Sequence, residues 1–127
     1  MRYLLDTHVA LWLFAGSEKL SKNVQDIIFD ANNEMYVSIA SVWEVAIKVS
    51  RNKLDFTGGS REFVSAIEAN HIDLLGINHN HVNIVEKLPF IHGDPFDRMI
   101  ISSAISENLT IITIDENIQK YDVSWVW

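Results

Sequence analysis

The sequence predicts an α/β fold on a mainly parallel sheet, and three observations carry that reading. Short apolar or β-branched runs alternate with helix-period stretches along all 127 residues. Strands that alternate with helices imply right-handed crossovers and hence parallel neighbours. No repeat, low-complexity stretch or linker divides the chain, so one domain is expected over residues 1–127.

The elements follow in order. Residues 2–6 read as a short buried strand. Residues 7–15 follow at once and are apolar almost all round (Val9, Ala10, Leu11, Trp12, Leu13, Phe14), which predicts a largely buried helix ended by Gly16 and Ser17. An amphipathic helix is expected over 21–32, with Val24, Ile27 and Ile28 on one face. Residues 35–39 form the second strand and 41–51 the third helix. Gly58-Gly59-Ser60 is a loop whose serine caps a helix through Ala69. A weak strand at 73–77 leads to a helix over 78–88, closed by Pro89. A strong helix spans 94–107, and β-branched residues make 110–114 a strand. A short helix at 116–121 and an edge strand at 123–127 complete the chain.

Composition narrows the classes. Hydrophobic residues make up 48% and charged residues 21%, as in ordinary globular proteins. With no cysteine, disulfides, thiolate zinc sites and cysteine nucleophiles are excluded. Asp6 and His8 interrupt the first apolar residues, so no secretory leader is read there, and no apolar run has bilayer-spanning length. A cytoplasmic protein with no membrane partner is expected. The net charge of −7 argues against a generic nucleic-acid binder, because phosphate is normally met by Lys and Arg. The one basic cluster is Lys48, Arg51 and Lys53, either a phosphate-contact patch or a solvated helix end favoured by the macrodipole.

Four acids carry the chemistry. Asp6 ends the first apolar run and Asp115 the last long one, while Glu44 and Asp97 fall in the first turns of two predicted helices. In a parallel sheet all four can meet at the carboxyl edge, where open α/β folds bind ligands. Gathered carboxylates repel, and a hard divalent cation relieves them. The pattern therefore points to a metal site and to metal-assisted phosphodiester chemistry. Each acid also has a structural reading. Asp6 and Asp115 can cap the helices that follow them, and Ser41-Val-Trp-Glu44 matches a capping box. Asp94-Pro95 is a strong cap with proline at N1, which places Asp97 at N3. Capping alone gives no reason for acids at the ends of both strands and one turn into two helices.

Neighbouring residues suggest supporting roles. Thr7 and Thr113 place hydroxyls beside the acids, to orient ligands or water, or simply fill a strand or start a helix. Arg98 is expected to pair with the acids or to contact a substrate phosphate. His8 and His92 lie near the proposed cleft, where each either touches phosphate or bonds to backbone. No histidine spacing suggests zinc. The four tryptophans read as core or interface anchors.

In the order Leu4-Leu5-Asp6-Thr7-His8, Ser41-Val42-Trp43-Glu44, Asp94-Pro95-Phe96-Asp97-Arg98 and Thr113-Ile114-Asp115, the chain resembles the PIN-domain nucleases, most closely the VapC-type toxins of toxin–antitoxin pairs. The resemblance covers essentially the whole chain. It implies a three-layer α/β/α sandwich, with Mg²⁺ or Mn²⁺ held by Asp6, Glu44, Asp97 and Asp115. It also implies endonucleolytic cleavage of RNA, a cognate antitoxin and a homodimer. His8 departs from the small Ser or Asn that many members carry at that position. Two other classes compete with this reading. An Mg²⁺-dependent phosphotransfer domain lacks support, because only Asp6 ends the first strand and Ile114-Asp115-Glu116-Asn117 holds no lysine. A noncatalytic protein-binding module would use the acids as caps and Ser124-Trp125-Val126-Trp127 as an edge contact.

Overall fold

The computed structural model describes residues 1–127 and has the α/β architecture that the sequence predicts. Its strands are β1 (Arg2–Leu5), β2 (Glu34–Ser38), β3 (Asp73–Leu75), β4 (Thr110–Ile112) and β5 (Trp125–Val126). Its helices are α1 (Thr7–Phe14), α2 (Lys22–Phe29), α3 (Ile39–Ser50), α4 (Gly59–Ala69), α5 (His79–Lys87), α6 (Pro95–Glu107) and α7 (Glu116–Gln119). The strands form one sheet in the order β3-β2-β1-β4-β5, and every pairing is parallel.

Alternation along the strands produces the three layers. Side chains of a strand point to opposite faces in turn. Tyr3, Leu5, Met35, Val37 and Ile112 therefore meet Val9, Val24, Val45, Phe63 and Ile67 from α1–α4 in one core. Leu4 and Ile111 face the other way, onto Ile100, Ile101, Ala104 and Ile118 from α6 and α7. Each Val, Leu, Ile, Met or Phe side chain so buried contributes roughly 1.5–3 kcal/mol. Helix α5 reaches the second layer by packing on α6, while α3 packs on both α4 and α6.

Several boundaries differ from the sequence reading for identifiable reasons. Helix α3 starts at Ile39, because Ser38 rather than Ser41 is its cap and accepts from the Ala40 amide. The expected Ser41–Glu44 capping box is thus absent, and Glu44 sits in the second turn. Helix α4 is capped by Gly58 at φ +85°, a conformation glycine adopts without strain, and not by Ser60. Helix α1 is less buried than its composition suggests: only Thr7, Val9 and Ala10 are fully covered, and Leu11, Trp12, Leu13 and Phe14 stay half-exposed. Strand β4 stops at Ile112, two residues early, because the Thr113 hydroxyl accepts from the Asp115 amide and turns the chain.

Candidate active site

The strand order reverses between β1 and β4, and the crevice at such a switch point is where open α/β sheets bind ligands. Asp6 and Asp115 flank it. The Asp6 amide extends the ladder by donating to the Ile112 carbonyl at 3.1 Å. Asp6 occupies the N-cap position of α1, but its carboxylate makes no cap hydrogen bond. Instead Oδ2 accepts from the buried Thr113 hydroxyl at 2.9 Å. That hydroxyl in turn accepts from the Asp115 amide at 3.0 Å, so one side chain ties the two acids together. Asp115 does cap α7, with Oδ1 on the Asn117 amide at 2.8 Å.

Helices α3 and α6 supply the other two acids. Glu44 is 3% exposed. Its Oε2 accepts from Lys48 Nζ at 2.7 Å, the i,i+4 geometry of a helix, while its Oε1 is buried with no partner. Asp94 caps α6 by accepting from the Phe96 and Asp97 amides at 2.9 and 3.0 Å, with Pro95 at N1. Asp97 stands at N3 as expected, and its Oδ2 lies 3.1 Å from His92 Nε2.

The acids feel one another. Burial pushes the Asp6 carboxyl above its ordinary value. The Thr113 hydrogen bond and His8 oppose that rise, and the charges of Asp115 and Glu44 add to it. Asp97 is pushed up to about 7, again first by burial, with the His92 hydrogen bond opposing and Asp94, Asp6 and Asp115 adding repulsion. Lys48 is held above its ordinary value although partial burial lowers it, because the hydrogen bond and charge of Glu44, with Asp94 and Asp97 behind, outweigh that burial. No three acidic or histidine side chains stand close enough to form a ready-made coordination shell. Carboxylates that repel do not close on one another without a cation. An all-oxygen donor set with an orphaned buried oxygen on Glu44 fits a hard divalent ion.

The supporting residues need corrections. Arg98 forms no ion pair with any carboxylate. It is buried, with Nη1 donating to Pro89 O at 2.9 Å and to Tyr121 Oη at 3.0 Å, and it stacks against Phe90. Its Nη donors are taken up by main-chain carbonyls of residues 85–92 and by Tyr121, so the expected pairing with the acids does not form. The Thr7 hydroxyl is turned to Ser41, Oγ1 to Oγ at 2.7 Å, and hydrogen-bonds to no acid. The His92 ring bonds to Asp97 and Tyr121, rather than to backbone or open cleft. His8 is exposed and lies against Trp12. Trp43 is 59% exposed beside Phe96, unlike a core anchor. Arg51 and Lys53 are exposed just past α3, whereas Lys48 is engaged by Glu44. The Glu44–Lys48 spacing carried a visible helical signal for that pair. The His92–Tyr121 contact spans 29 residues and carried none.

Comparison with known proteins identifies relatives of the whole chain. Ribonuclease VapC22 of Mycobacterium tuberculosis is 28% identical over 119 residues, 93% of this chain and 90% of that protein. Among solved structures, VapBC2 from Rickettsia felis, bound to a DNA fragment from its promoter, superposes with a TM-score of 0.74 at 16% identity. The match covers 100% of this chain and 99% of that one. VapBC-1 from nontypeable Haemophilus influenzae superposes with a TM-score of 0.68 at 20% identity, over 99% and 97%. The model of the PIN domain family matches residues 3–124, nearly the whole chain, and the chain belongs to that family.

Proposed function

We propose that this protein is a divalent-metal-dependent endoribonuclease, the toxin of a toxin–antitoxin pair, hydrolysing RNA phosphodiester bonds. The observation that carries the reading is the set of four buried or half-buried acids at one sheet edge, two held above their ordinary pKa and one with an unpartnered oxygen. The ribonuclease relative supports the activity, and the toxin–antitoxin complexes among the structural neighbours support the partner.

Asp6, Asp97, Glu44 and Asp115 would hold Mg²⁺ or Mn²⁺. When bound, the ion neutralises phosphate charge and lowers the pKa of an attacking water. The chain's own residues prepare the place. Thr113 fixes Asp6 and the turn to Asp115. Lys48 holds Glu44 in the cation's absence, and its half-exposed ammonium is set to meet an incoming phosphate. Arg51 and Lys53 extend that positive edge as RNA contacts, offsetting locally the net charge of −7.

A cognate antitoxin and a second copy of the chain are the inferred protein partners, and a cytoplasmic location belongs to the same reading. Half-exposed apolar residues of α1 and a cavity of about 450 Å³ lined by Trp43, Ile77 and Phe90 are the surfaces available to them. No helix is long and apolar enough to cross a membrane.

Cleavage of a labelled structured RNA by wild type and Asp6→Asn, in EDTA, Mg²⁺ and Mn²⁺, tests the proposal. Cutting by wild type only, and only with a cation, is expected. Equal cutting by the variant, or cutting in EDTA, overturns it.

A further inference from the structure

Asp97 is served by a chain of hydrogen bonds that starts at its sequence neighbour Arg98 and returns through Tyr121 and His92. The direction of this chain follows from counting protons. Tyr121 Oη accepts from Arg98 Nη1 at 3.0 Å and from the His92 amide at 3.2 Å. Arg98 has donors only, so that bond cannot reverse. Two donors fill the acceptor capacity of a hydroxyl oxygen, and its one proton must go elsewhere. Two acceptors are in reach: His92 Nδ1 at 2.8 Å and the His92 carbonyl at 3.3 Å. The shorter contact takes the proton. Nδ1 is then an acceptor, so the proton of the neutral ring sits on Nε2, 3.1 Å from Asp97 Oδ2. The opposite tautomer would bring a third donor to Tyr121 Oη and set lone pair against lone pair at an ionised Asp97 carboxylate.

We propose that Arg98, Tyr121 and His92 form a one-way relay that locks the Nε2–H tautomer of His92 and so orients the Asp97 carboxylate for a divalent cation. His92 and Tyr121 are positioning residues, since each acts through Asp97. The relay rests on the proposed role of Asp97 in holding the cation. Its base is rigid: Arg98 and Tyr121 are 5% and 4% exposed, and Arg98 also grips the carbonyls of Val85, Leu88 and Pro89. Outer partners of this kind typically change metal affinity about 10–100-fold when lost.

Two measurements on the full-length chain test it. Long-range ¹⁵N–¹H spectra of the cation-free protein should show His92 protonated on Nε2 in wild type, and a mixed or inverted tautomer in Tyr121→Phe. Calorimetric titration with Mn²⁺ should show affinity falling about 10–100-fold in Tyr121→Phe and in His92→Leu. His92→Gln places an amide N–H where Nε2 stood and should restore most of the affinity, which a merely structural role for the ring would not predict. An Nδ1–H ring in wild type overturns the relay, as does a His92→Leu protein that binds Mn²⁺ as tightly as wild type. Wild type that binds no Mn²⁺ overturns the orienting role together with the functional reading, and an intact Nε2–H tautomer then identifies the functional reading as the failed premise.

Discussion

Replacing Asp97 with Asn should stabilise the cation-free protein while abolishing its cleavage activity. Asp97 titrates at about 7 in the fold against 3.8 ordinarily, first because it is buried, against the pull of the His92 hydrogen bond, and then because Asp94, Asp6 and Asp115 repel it. At 1.36 kcal/mol per tenfold, that gap sets a ceiling of about 4 kcal/mol against the ionised form. Solvent in the cleft screens it to roughly 2 kcal/mol. The sign follows from linkage. A carboxyl raised in the fold binds its proton there before the unfolded chain does, so the penalty is full above about pH 7 and disappears as pH falls towards 3.8. The amide keeps an oxygen for His92 Nε2 and carries no charge. In EDTA above pH 7 the Tm of Asp97→Asn should exceed that of wild type by roughly 6–10 °C, and the difference should close on acidification. Saturating Mg²⁺ or Mn²⁺ should reverse the order, because a ligand bound only by folded wild type stabilises it. Scanning calorimetry over pH, with and without cation, reads all three. A lower Tm for the variant in EDTA above pH 7 would refute the reasoning and leave Asp97 a residue that only favours its helix terminus.

Other perturbations have distinct signatures. Thr113→Val removes the donor to buried Asp6 and the acceptor of the Asp115 amide, and should cost about 1–3 kcal/mol by urea unfolding; no loss would mean water replaces the hydroxyl. Lys48→Met leaves the Glu44 carboxylate buried and unpaired, costing up to about 3 kcal/mol, of which added Mn²⁺ should recover part; equal Tm values with and without Mn²⁺ would count against Glu44 as a ligand. Asp94→Ala should cost about 1 kcal/mol of stability as a lost cap, yet lower cleavage more than that, since it frees the turn that carries Asp97. Leu4→Ala, at the centre of the sheet and fully buried, should cost about 2–5 kcal/mol without altering cation affinity per folded molecule.

The fold was largely legible because the period changes are clean: alternating Tyr3, Leu4 and Leu5 feed two cores, and the β-branched residues after Thr110 form a central strand. What the periodicity could not place were ends set by single side chains. Ser38 outcompeted Ser41 as a cap, and the Thr113 hydroxyl ended β4. The acids were legible as a set, because their positions after strands and near helix starts follow from local pattern. Their partners were not. Arg98 adjoins Asp97 in sequence, yet its side chain is drawn to the 85–92 carbonyls and to Tyr121, because buried guanidinium must satisfy its donors. The same contacts set the role of His92, which no spacing announces.

Anomalous diffraction from crystals soaked in Mn²⁺ tests the central claim most directly. The account predicts a peak at the β1–β4 crevice, about 2.1 Å from carboxylate oxygens of Asp6 and Asp97, with Glu44 or Asp115 in direct or water-mediated contact. No peak there at saturating Mn²⁺, or a peak coordinated by other residues, would contradict it.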